Sequence, residues 1–196
     1  MKTDVVYITE DNETAFINMA RRLGYSGLCC IYEEKANPSQ KLASLQSKLE
    51  GFTLHSAVVS KKPKSRGIFN FIFSSTATSK LANTGFTLLF DVEESSDGMH
   101  QRHSGLNQVI CKEMHLHHVA YGISMNAFIN HPLRSQHLGR ILQNIMLCEK
   151  YGVSIVVGSF ARTPFEMRNY EDLVSFFRIC GISDPKKCFN YLHDIL

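Results

Sequence analysis

An α/β fold closed into a barrel of about seven parallel strands is what the sequence predicts, on three observations. Seven short runs rich in β-branched and aromatic residues recur along the 196-residue chain, at 4–9, 27–32, 52–60, 67–74, 85–91, 118–124 and 153–158. Several of them, FTLLFDV and VSIVVGS among them, are apolar on both faces, the pattern of strands covered on both sides in a parallel sheet. No run is followed by the G-x-G-x-x-G turn of an open dinucleotide-binding sheet, and the strand number then favours closure. The chain fits one domain, 1–196, slightly short for such a barrel, so at least one crossover must be trimmed. SKKPKSRG, between the third and fourth runs, reads as that link.

Helix patterns fill most of the other gaps. After the first strand Phe16, Met19, Ala20 and Leu23 recur at helical spacing behind Asp11 or Asn12 as cap. NPSQ then places Asn37 at the N-cap and Pro38 at the first helical position, followed by Leu42, Leu45 and Leu49. A short helix is expected at 78–83, and another starts near Ser104 with Leu106, Val109 and Ile110 on one face. The longest, 133–151, presents Leu138, Ile141, Leu142 and Ile145 and stops at Gly152. Beyond the last strand, Asn169 caps a helix with Glu171 and Asp172 in its first turn; Leu173, Phe176, Phe177 and Cys180 form its apolar face and Gly181 ends it. A final helix follows Asp184 and Pro185.

Composition narrows the class. The chain is 44% hydrophobic and 20% charged, which is globular, and its formal charge of +3 is too small for a uniformly basic nucleic-acid binder, so any such surface must be local. No apolar run reaches the ~18 residues of a membrane span, and the acids after Ile8 do not suit a secretory signal, so a cytoplasmic chain is expected. The six cysteines include no C-x-x-C pair and read as reduced, buried small hydrophobes; Cys29 and Cys30 point to opposite faces of one strand.

Three kinds of residue carry candidate chemistry. His115, His117 and His118 in EMHLHHVAYG have the look of a metal motif, with Asp91 and Glu93 as the most available further ligands of a metal-dependent phosphoesterase. The run nevertheless precedes a strand, whereas barrel chemistry gathers at strand C-termini, and the better reading is a helix end. Ser159 lacks the G-x-S-x-G elbow of a nucleophile and reads as a plain turn. Basic positions are more informative. Lys61, Lys62, Lys64 and Arg66 form one acid-free loop, Arg102 lies between His100 and His103, and Arg162, Arg168 and Arg178 flank the last strand-to-helix connection. Such positions suit phosphate contacts, Arg168 through a bidentate guanidinium beside the Asn169 cap.

The second half of the chain also resembles a known family. RHSGLNQVICKE (102–113), the strand HVAYGISMNAFI, and NIMLCEKYGVSIVVGSFARTPFEMRNYEDLVSFFRICGIS look like archaeal ribonuclease P protein component 3, counterpart of the eukaryotic thirty-kilodalton subunit. The match is strong over about 102–184, and residues 1–100 agree in strand order and length without a distinctive motif. It implies a TIM-barrel-like, polymerase-and-histidinol-phosphatase-like barrel without catalytic groups of its own. The RNA subunit, with magnesium, would remove the 5′ leader of precursor tRNA, and protein component 2 would be the usual companion. Carried over residue by residue, Arg102 and Arg168 match basic positions, Ser104, Gly105 and Asn107 a turn, and Asp172 an acidic position. The chain departs from the family pattern in its low charge and in the bulky stretch 160–165. Set against this reading are the phosphoesterase, and an inactive barrel that scaffolds a protein partner.

Overall fold

The computed structural model describes residues 1–9, 12–61, 68–77, 81, 85–93 and 104–195. Its strands are β1 (Thr3–Tyr7), β2 (Gly27–Tyr32), β3 (Thr53–Val59), β4 (Phe71–Ser74), β5 (Leu88–Phe90), β6 (Ala120–Ser124) and β7 (Ile155–Gly158). Each pairs in parallel with the next, so the sheet order is the chain order. Beyond β7 a parallel bridge joins Ala161 to Val6, and the Tyr7 N–H donates to the Ala161 carbonyl at 2.8 Å, bringing the last strand round to the first. The result is a nearly closed, seven-stranded α/β barrel of the TIM-barrel-like kind.

Alternation along the strands divides the core in two. Val5, Cys29, Ile31, Ala57, Phe71, Phe73, Leu88, Phe90, Val156 and Phe160 fill the barrel, while Val6, Leu28, Cys30, Ile72, Leu89, Tyr121 and Val157 join the helices outside. Cys29 and Cys30 thus do face opposite ways, and all six thiols are free, five of them buried. Phe90 and Phe160 stack at 5.2 Å between centroids, so the interior is packed and not a pore.

The helices are α1 (Glu13–Arg22), α2 (Ser39–Gln46), α3 (Gln108–Leu116), α4 (Met125–Asn130), α5 (Arg134–Tyr151), α6 (Tyr170–Ile179) and α7 (Pro185–Asp194). Caps behave as their chemistry demands. The Asn169 side chain accepts from the Glu171 N–H, Asp184 from the Lys187 N–H, and Gly152 closes α5 at φ 67°. α7 seals the N-terminal end of the barrel, with Leu192 inside it, His193 against His55 and the Tyr191 hydroxyl donating to the His118 carbonyl.

Three expectations shift. α2 starts at Ser39 with Pro38, and not Asn37, in the cap position. α3 starts at Gln108 rather than near Ser104, because Asn107 caps it, and its Val109 is 54% exposed instead of facing the core. α4 was not foreseen; Ser124 ends β6 and immediately caps α4 by accepting from the Ala127 N–H. The histidine run does end a helix, since α3 reaches Leu116 with His117 as its C-cap before His118 turns the chain at φ 54°. The helix expected at 78–83 lies, apart from Leu81, outside the described residues, as do Asp11 and most of the trimmed link. Described residues between β3 and β4 contain no helix.

Candidate nucleic-acid interface

The C-terminal rim of the barrel is where side chains from successive strands converge. Tyr7, Val59, Ser75, Phe90, Asp91 and Gly105 line a cleft there. The exposed Lys61 follows β3 on this rim. Arg162, past β7, lays its guanidinium 4.8 Å over the Tyr7 ring, a cation–π contact that holds the charge in place. Burial, and then the negative charge of Asp91, push the Tyr7 hydroxyl up to about 12, with Arg162 opposing them. Lys62, Lys64, Arg66 and Arg102, with His100 and His103, lie outside the described residues.

Arg168 lies at the other end. Its carbonyl accepts from the Tyr25 hydroxyl at 3.0 Å, and the Tyr170 N–H donates to the Leu23 carbonyl at 3.1 Å, which pins this stretch beside the turn leading into β2. From the level of Ser26 to that of Ile31, across from Tyr7, is five residues of strand, or roughly 16 Å. Arg162 and Arg168, which flank the connection from β7 to α6, therefore stand at opposite ends of α1, joined by a 3-10 turn, Pro164–Glu166, that packs on that helix. Arg168 remains exposed and one residue ahead of the α6 cap.

The SGLN turn is architectural. Gly105 has φ 87°, and a Cβ there would sit 1.9 Å from the Val92 carbonyl oxygen, so no other residue fits. Asn107 Oδ1 accepts from the Val109 and Ile110 N–H groups at 2.9 and 3.0 Å, satisfying two orphan donors of α3. Asp172 is exposed in the first turn of α6, at its positive end. Around this turn a buried network had left no sequence signal: the Asn144 amide donates to Glu93 Oε1 at 2.9 Å and to the Ser104 carbonyl at 2.8 Å. The Tyr121 hydroxyl donates to the same carboxylate, and Arg140 to the Glu93 carbonyl at 2.6 Å.

These contacts disassemble the phosphoesterase ligand set. Glu93 is committed to Tyr121 and Asn144 at the end of β5, while His115 and His117 close α3 at the opposite end of the barrel. There the His115 Nδ1 lies 2.8 Å from the Gly152 carbonyl, and His117 pairs with Glu113 at 3.5 Å. Among the described residues no three His, Cys, Asp or Glu side chains are grouped to hold a metal ion.

Ser159 is not a plain turn residue. Its N–H donates to Asp4 Oδ1 at 2.6 Å and its hydroxyl to Asp4 Oδ2 at 2.7 Å, while the Val5 N–H also donates to Oδ1 at 2.9 Å. Asp4 is fully buried, and desolvation pushes its carboxyl up to about 6 against the pull of these donors. One carboxylate thus stitches β1 to the end of β7 where regular pairing is incomplete. A lone acid in an apolar strand was the only hint.

A nearly closed α/β barrel with a packed interior and arginines at both ends is the class that fold and site define. No protein-family model matches the chain. It is 26% identical over 180 residues to ribonuclease P protein component 3 of Methanosarcina mazei, covering 86% of this chain and 74% of that protein. Against the same component of Methanosarcina barkeri it is 25% identical over 177 residues with the same coverage. For Methanosarcina acetivorans the figure is 31% over 87 residues, 43% of this chain and 36% of that one. A chain in a cryo-EM structure of an archaeal ribonuclease P with mature tRNA superposes with TM-score 0.72 at 16% identity, covering 98% of this chain and 88% of that chain. A crystal structure of an uncharacterized protein superposes with TM-score 0.54 at 8% identity, covering 96% and 71%. Over most of its length the chain is thus similar to ribonuclease P protein component 3 proteins.

Proposed function

We propose that this chain is a protein subunit of ribonuclease P that assists the catalytic RNA in removing the 5′ leader of precursor tRNA. The observation that carries the reading is similarity to ribonuclease P protein component 3 across 86% of the chain, on a barrel that also superposes on a chain of an archaeal ribonuclease P. The protein supplies shape and charge, and the metal chemistry belongs to magnesium on the RNA. Lys61, Lys62, Lys64, Arg66, Arg102, Arg162 and Arg168 are its phosphate contacts, acting as point or bidentate charges on a body of low net charge. Protein component 2 is its companion, and the cytoplasm its compartment; among the described residues no helix is long and apolar enough to cross a membrane.

Reconstitution tests this directly. Cleavage of precursor tRNA is measured at limiting magnesium with the cognate RNA and component 2, with and without the full chain. The rate rises when the chain is present. An unchanged rate with the correct RNA refutes the reading.

A further inference from the structure

We propose that Phe165 is a stacking platform for an unpaired RNA base, with Arg162 and Arg168 holding the phosphates on either side of it. The inference rests on the RNA-associated reading above and goes beyond it by naming a site and the form of RNA it takes. Phe165 is 85% exposed, so the chain forgoes about 1.5–3 kcal/mol that burying the ring would contribute. A single exposed apolar residue needs no explanation by itself; two further features set this one apart.

The ring is carried on a stiff support. Pro164 opens the 3-10 turn, the Glu166 N–H donates to the Thr163 carbonyl at 3.1 Å, and the Met167 N–H donates to the Pro164 carbonyl at 3.3 Å. The Arg162 N–H donates to Glu166 Oε2 at 2.8 Å, and the buried Met167 anchors the stretch below. An aromatic held this way loses little freedom when it binds.

Its flanks are basic and planar. Arg162 is fixed over Tyr7 at one end of α1, and Arg168 is tethered through Tyr25 at the other, with Phe165 midway. The acid between them, Glu166, is half-buried and already turned to the Arg162 backbone. An aromatic face between two phosphate-binding charges is the recognition chemistry of single-stranded nucleic acid: any base can stack, and the backbone follows the charges.

Binding of the full chain to a labelled oligouridylate of about twelve nucleotides and to an RNA duplex of equal length, over a salt series, tests the idea. Phe165→Ala is expected to weaken single-strand binding by about 5- to 150-fold with the salt slope unchanged, and Phe165→Tyr to keep it. Arg162→Ala and Arg168→Ala should each lower the slope by ~0.7. Wild-type affinity in Phe165→Ala or in Phe165→Leu overturns the proposal, the second because leucine offers no π face. Loss of association with a protein partner while RNA binding is intact also overturns it. The same variants enter the precursor-tRNA assay: stimulation by wild type together with normal single-strand binding by Phe165→Ala removes the platform and leaves the subunit reading standing. No stimulation by wild type removes the subunit reading, and the oligonucleotide result is then judged alone.

Discussion

Replacing Asp4 by asparagine isolates the carboxylate that joins the first strand to the last. The fold raises its pKa from 3.8 to about 6, and at 1.36 kcal/mol per unit the rise corresponds to ~3 kcal/mol. The sign follows from proton counting. Between pH 3.8 and 6 the native state holds the proton more tightly than the unfolded chain, so this group's contribution is fully present below pH 3.8 and is lost as pH rises through 6. Asparagine keeps an oxygen for the Val5 and Ser159 N–H groups and removes the charge. Its amide donates to the Ser159 hydroxyl, which then turns to the Val5 carbonyl 3.3 Å away. Urea titrations at several pH values between about 4.5 and 7.5 give the difference in unfolding free energy between Asp4→Asn and wild type. That difference should move in favour of the variant by about 2 kcal/mol across the range, most of it below pH 6. A difference flat to within about 0.5 kcal/mol would show that folding leaves this carboxyl unshifted, and a variant about 2 kcal/mol less stable than wild type at neutral pH would show that the ionised carboxylate favours the fold.

Two further substitutions probe the turn into α3. Gly105→Ala forces a side chain into φ 87° and 1.9 Å from the Val92 oxygen, so it should cost about 3 kcal/mol or more in denaturant unfolding; a loss under 1 kcal/mol contradicts the close approach. Asn107→Ala removes an acceptor from two N–H groups and should cost about 1 kcal/mol, with Asn107→Ser recovering most of it.

Strand existence was legible because these strands are apolar on both faces, and β2 matched its expected limits at Gly27 and Tyr32. α4 was illegible for the opposite reason: it has six residues, none buried, and one serine both ends a strand and caps the helix. The start of α3 was expected near Ser104, but the left-handed Gly105 defers the helix to Asn107. The polar contacts that organise the candidate interface span distances no local pattern records. Glu93 meets Asn144 across 51 positions, and Asp4 meets Ser159 across 155. Arg162 and Arg168 are six apart in sequence, and only the path of a non-periodic connection along α1 decides that they occupy different ends.

The stitch between Asp4 and Ser159 also sets an order in time. At ribosomal rates of about 5–20 residues per second, Asp4 waits some 8–30 s for its partner to be made. Until then β1 has one neighbour, and the phenylalanines meant for the barrel interior have no enclosed space to enter. Closure of the barrel therefore waits on residue 159, however early the preceding strands pair.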